Sequence, residues 1–167
     1  MQDTVASRTE PRLNPVLFSP LPDAPHRDHP LPQAACSDHQ FITLLNAYRD
    51  SGGLAPAQEV VALLRRHIEC GPAMLTRLIV SKEVICFGWQ SALWLPLFQF
   101  NPVDMSLQTG LSPVLTELSP HLDAWQVANW FAQPNSWLGG ASATPARMLA
   151  IDPAAVLSAA RALGRTN

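Results

Sequence analysis

The sequence predicts a mainly α protein, a bundle of short helices with one β-hairpin. Three observations lead there. Apolar residues recur at three- and four-residue spacing through most of the chain beyond Ser37. Three acceptor-plus-proline steps, Ser112-Pro113, Thr144-Pro145 and Asp152-Pro153, mark sharply bounded helix starts. Two runs rich in β-branched and aromatic residues, Val84–Gln90 and Ala92–Phe100, are interrupted only by polar Gln90-Ser91, as two strands are by their turn.

The 167 residues are enough for one ordinary domain or two small ones sharing a core, and 47% of them are hydrophobic. Charged residues make up 14%, below the roughly 25% of an average soluble chain, as expected of a compact helical surface or of one partly covered by a partner. The net charge of -2 gives no global field toward nucleic acid. The least acidic third is residues 40–100, with five Lys/Arg against four acids. Cys36, Cys70 and Cys86 are odd in number and lack CxxC spacing, which disfavours a disulfide framework or zinc site and fits a reducing compartment. No basic start leads into an apolar run and no run reaches the ~20 residues of a membrane span, so a soluble, cytoplasmic protein without membrane contact is expected.

Residues 1–36 hold seven prolines and no periodic pattern, so an extended, disordered tail is expected there. Its His26 and His29 have no second pair of ligands to complete a metal site. The first unit, residues 37–100, opens with Ser37-x-x-Gln40, the form of a capping box, followed by Phe41, Leu44, Leu45 and Tyr48 on one helical stripe. Gly52-Gly53 ends that helix. Pro56, in a first turn, opens the next, with Val60, Val61, Leu64 and Ile68 inward and Arg65, Arg66 and His67 in its last turn. Gly71-Pro72 starts a third, with Met74, Leu75, Leu78 and Ile79 inward and Arg77 and Lys82 outward. The hairpin follows. Its second strand contains Pro96, which cannot donate to a ladder, so that strand is an edge or stops pairing early. Gln99, between two phenylalanines, should spend its amide on backbone.

The second unit, residues 101–167, begins with a loop to Gly110 and a helix capped by Ser112, with Val114, Leu115 and Leu118 inward. Asp123 then caps a helix that is apolar nearly all round, with Trp125, Val127, Trp130 and Phe131 as core. Pro134-Asn135 stops it, Gly139-Gly140 closes a turn, and Thr144-Pro145 and Asp152-Pro153 open two more helices, the last ending at Gly164.

No catalytic set accompanies these elements. GxSxG, a P-loop, GxGxxG after a strand and HExxH are all absent, and the thirteen acids form no recurring pair. His67 and Cys70 are three apart without an orienting partner. The expectation is a non-enzyme with no cofactor and no metal.

From Leu54 to Gln99, a helix, a second short helix bearing Leu75–Val84 and a hairpin ending at Trp94–Gln99 resemble a small winged-helix reader of the excisionase and MerR type. In that arrangement Thr76, Arg77 and Lys82 face DNA with Arg65 and Arg66 nearby, and Gln90 and Ser91 form the wing tip. Further on, Trp130-Phe-Ala-Gln-Pro-Asn-Ser-Trp-Leu-Gly-Gly140, Thr144-Pro145, Met148-Leu149 and Asp152-Pro-Ala-Ala-Val156 follow one another in the order seen in the C-terminal domain of Xre/MbcA/ParS-type antitoxins. The resemblance spans roughly residues 95–163. It implies a dimeric interaction protein that blocks an NAD-consuming RES-type toxin and regulates its own operon through DNA. Trp137 and Leu138, in the turn, are its candidate partner contacts. The alternative is a DNA-binding regulator without a toxin, whose C-terminal domain serves dimerisation.

Overall fold

Ser37 caps the first helix as its spacing predicts. Its hydroxyl accepts the Gln40 backbone N–H, and the Gln40 side chain accepts the Ser37 N–H at 2.9 Å. Two donors without intrahelical partners are thereby satisfied and α1 (Asp38–Ala47) begins. The computed structural model describes residues 37–67, 71–140 and 142–165. The expected tail over 1–36 with its two histidines, and Ile68 and Cys70, lie outside the described residues. Phe41 and Leu44 of α1 and Tyr48 at its end are buried, whereas Leu45, at the edge of the stripe, is exposed.

After a 3-10 turn (Arg49–Ser51), Gly52 and Gly53 take left-handed backbone conformations and lead into β1 (Leu54–Pro56). This strand was not expected: three residues are too few to show alternation. Pro56 ends it and stands just before α2 (Ala57–Leu64), one position ahead of the predicted first turn. The chain continues through α3 (Gly71–Val80), β2 (Phe87–Trp89) and β3 (Ala92–Pro96). The sheet is antiparallel, in the order β1-β3-β2, so the expected hairpin is part of a three-stranded sheet. Pro96 does not make β3 an edge. It is the last residue of the central strand, opposite Leu54, where a missing N–H ends pairing at little cost.

Side-chain alternation sends the sheet's two faces into two cores. Phe87, Trp89 and Trp94 meet α1 and the C-terminal helices, while Ala55 and Leu95 meet α2 and α3. The α1 side is tied by aromatic contacts: Phe41 stacks on Trp89 at 3.7 Å and meets Trp94 edge-on at 4.9 Å. Gln99 behaves as predicted. Fully buried, it donates from Nε2 to the Ile85 carbonyl at 3.0 Å and accepts the Ile85 N–H at 2.8 Å.

In the second half, α4 (Leu111–Leu118) starts at Gly110, in a left-handed conformation, and not at Ser112. A Cβ on Gly110 would lie 2.5 Å from Pro153 Cβ, so the close approach of α4 to the start of the last helix requires glycine here. Asp123 and Gln126 form the capping box of α5 (Ala124–Ala132), which buries Val127, Ala128, Phe131 and Ala132 and half-buries Trp125 and Trp130. Helix α6 (Pro145–Met148) follows Thr144, and Asp152 caps α7 (Pro153–Arg165) by accepting the Ala155 N–H at 2.9 Å. Gly164 does not stop α7, which includes Arg165. Helices α4 and α7 pack together and carry the ion pair Arg161–Glu117 at 3.1 Å. The larger core runs from Phe41 to Ala160 across both halves, and Tyr48 donates its hydroxyl to the Ala128 carbonyl. The two units therefore share one core. No helix among the described residues is long and apolar enough to cross a membrane.

Candidate nucleic-acid interface and partner contact

Helices α2 and α3 form a pair whose geometry begins with one glycine. A Cβ on Gly71 would lie 3.1 Å from the Arg65 amide nitrogen and 3.2 Å from Leu64 Cβ, so the start of α3 rests against the end of α2. Val60 and Leu64 of α2 and Leu75 and Leu78 of α3 are buried between the pair and the sheet. The opposite side of α3, with Pro72, Ala73, Thr76, Arg77 and Val80, is exposed. Arg65 and Arg66 continue past α2 as a tightened turn, their N–H groups donating to Val61 and Leu63 carbonyls.

The end of α3 is a Schellman closure: Glu83 N–H donates to the Leu78 carbonyl at 2.9 Å and Lys82 N–H to the Ile79 carbonyl at 3.2 Å. The left-handed position is taken by Lys82 (φ 57), where glycine is the usual residue. Thr76 donates its hydroxyl to the Pro72 carbonyl at 3.0 Å, and Arg77 places Nη2 3.4 Å from Met74 Sδ. Five of the predicted contacts are exposed on or beside this pair: Arg65 and Arg66 just past α2 near the start of α3, Thr76 and Arg77 on α3, which is about 15 Å long, and Lys82 just past its end. None of the four cations forms an ion pair with a described residue.

Among the described residues, exposed Glu59 is a carboxylate on α2 itself, and Glu83 just past α3 and Asp104, which acts on His67, are two more. Glu83 accepts the Ser81 hydroxyl at 2.6 Å. Asp104 accepts the Ser106 hydroxyl and N–H at 2.7 and 3.0 Å. Those bonds, with a smaller attraction from His67, hold its carboxyl below the ordinary range.

The wing tip is placed differently from the rest. Gln90 and Ser91 form a two-residue turn with φ of 45° and 60°, a left-handed pair that favours Asn-Gly. Gln90 donates its amide to Asp38 Oδ1 at 3.3 Å, so the tip leans on α1, on the far side of the sheet from α2 and α3. A carboxylate beside the tip repels phosphate. Gln90 and Ser91 are exposed but do not join the cation group.

Trp137 and Leu138 share a 3-10 turn (Ser136–Leu138), where Asn135 Oδ1 accepts the Trp137 N–H at 3.0 Å. The turn separates the two. Trp137 is 70% exposed, whereas Leu138 is 8% exposed and packs in the main core. Leu138 is therefore corrected from partner contact to core residue, because one step along a tight turn reverses the direction of the side chain.

A cavity of about 550 Å³ was not foreseen. Leu63, Phe98, Phe100, Met105 and Ile151 line it, with Arg147 and with Asp50 at the 3-10 turn after α1. It arises where segments distant in sequence meet, so no local pattern announces it. Cys86 is half-buried, and burial pushes its thiol from 9.0 up to about 11, away from nucleophile chemistry. Among the described residues no three metal-ligating side chains cluster. No protein-family model, curated protein or solved structure matches this chain.

Proposed function

We propose that this chain is a non-enzymatic interaction protein that binds duplex DNA through α2 and α3, with its C-terminal half as a protein-docking unit. One observation carries the reading. A helix pair joined at a glycine contact, followed by a hairpin, carries on or just past its helices four exposed cations that form no ion pair with a described residue. This is the winged-helix-like order, in which α3 is the recognition helix and Lys and Arg supply the phosphate contacts. The added β1 strand supports the same reading by holding the hairpin to the start of α2. The wing, tied to Asp38, is structural in this scheme. Purified full-length protein is expected to retard duplex DNA in a salt-sensitive manner. Arg77→Ala and Lys82→Ala should each weaken that shift, and a shift unchanged by both rejects α3 as the reading helix.

The exposed Trp137 supports a second, compatible reading, in which the C-terminal half is antitoxin-like and holds a toxin of the RES type. An aromatic ring of this size in a fixed turn is the kind of side chain that anchors protein interfaces. Capture of a RES-type protein by wild-type chain and its loss in Trp137→Ala, with unfolding unchanged, is the expected result. Capture that is indifferent to Trp137→Ala removes this contact. A homodimer that forms with no toxin captured favours the regulator alternative.

A further inference from the structure

We infer that the exposed face of α3 reads thymine methyl groups in the major groove, with Arg77 as its one polar base-reading side chain. This rests on the DNA-binding reading above and goes beyond it by naming what the helix recognises. Ala73, Thr76, Arg77 and Val80 recur at three- and four-residue spacing and are exposed on one face of α3, whose other face is buried. That face is mostly hydrocarbon. Val80 is 77% exposed, which core packing does not explain.

Thr76 adds a specific constraint. Its hydroxyl proton is committed to the Pro72 carbonyl at 3.0 Å, so this exposed side chain has no proton for a base acceptor and its methyl is the group left to recognise a base by apolar contact. In the major groove thymine alone carries a methyl group, and apolar side chains contact it there. Arg77, held only against Met74 Sδ at 3.4 Å, is free to exchange that weak contact for guanine O6 and N7. The occupant follows from charge: Arg65 and Arg66 lie at one end of the face and Lys82 at the other, none in an ion pair with a described residue. An apolar face bracketed by cations complements a polyanion bearing methyl groups better than it complements an apolar protein groove.

The test uses full-length protein and a random 20-base-pair duplex pool, selected for binding and then amplified in parallel with dTTP or dUTP. Deoxyuridine lacks only the thymine methyl. Each methyl buried against α3 is worth about fourfold in affinity. The deoxyuridine pool should therefore bind roughly four- to sixteen-fold more weakly for one or two contacts. Val80→Ala and Thr76→Ser should narrow that gap while leaving the salt dependence of binding unchanged. Equal affinity of the two pools overturns methyl readout while DNA binding stands. Failure to retain any duplex overturns the DNA-binding reading and this inference with it.

Discussion

Replacing Gln99 with leucine should destabilise the protein by about 3 kcal/mol, because among the described residues its amide is what pairs the N–H and carbonyl of Ile85. Both residues are buried. Leucine keeps the volume but leaves an N–H and a carbonyl unpaired, at roughly 1–3 kcal/mol each. Its added hydrocarbon returns roughly 1 kcal/mol. Urea unfolding followed by tryptophan fluorescence measures the difference, and the melting temperature should fall by roughly 10 °C. Gln99→Glu makes the test sharper. A protonated glutamic acid can accept the Ile85 N–H and donate to its carbonyl, whereas the carboxylate cannot donate and is buried with its charge. The folded-state pKa of that glutamate is thus raised above its unfolded value of about 4.3. Its stability contribution is present below the unfolded value and lost as pH rises through the folded one. Gln99→Glu should approach wild type near pH 4 and fall well short of it near pH 7. A Gln99→Leu chain within about 0.5 kcal/mol of wild type, or a Gln99→Glu deficit that ignores pH, refutes the clamp.

Gly110→Ala should cost about 2–4 kcal/mol, since it combines a left-handed backbone with a 2.5 Å approach to Pro153, and unchanged urea unfolding would refute the tight α4–α7 contact. Lys82→Gly should raise stability by about 1 kcal/mol by relieving the left-handed position while weakening DNA binding, opposite signs that exclude unfolding as the cause. If its stability falls instead, the Schellman reading is wrong. In a Cys36→Ser/Cys70→Ser chain, Cys86 should resist iodoacetamide until urea unfolds the protein, and equal labelling rates of the folded and unfolded chain contradict its burial. Because the unfolded thiol ionises first, stability should also decline as pH rises from 9.0 toward about 11.

What was legible in the sequence is local. The capping box at Ser37 and the cap at Asp123 depend on contacts three residues apart, and both are present, the second as a full box with Gln126. Gln99 was legible because an amide between two buried phenylalanines has to be paired. What was missed depends on partners far along the chain. β1 has three residues and exists because β3 offers it a pairing edge. Gln90 belongs to the expected turn, but its bond to Asp38 shows in no local pattern. Ser112-Pro113 has the form of a helix start, yet α4 begins at Gly110, where the packing of Pro153 decides. Leu138 reads as a contact because it sits in the turn and not on the buried helix, yet the 3-10 turn sends it into the core. The sequence similarly marked the cations of α2 and α3, and only the fold set them on one helix pair.

The most direct test of DNA binding through that pair is the salt dependence of duplex binding by wild type and by an Arg65→Ala/Arg66→Ala/Arg77→Ala/Lys82→Ala chain, with Arg161→Ala as control. Each phosphate contact contributes a slope of about -0.9 in log affinity against log salt. A wild-type slope near -3 to -4 that collapses toward zero in the quadruple variant and is unchanged in Arg161→Ala is the predicted result. Equal slopes in all three proteins would contradict it.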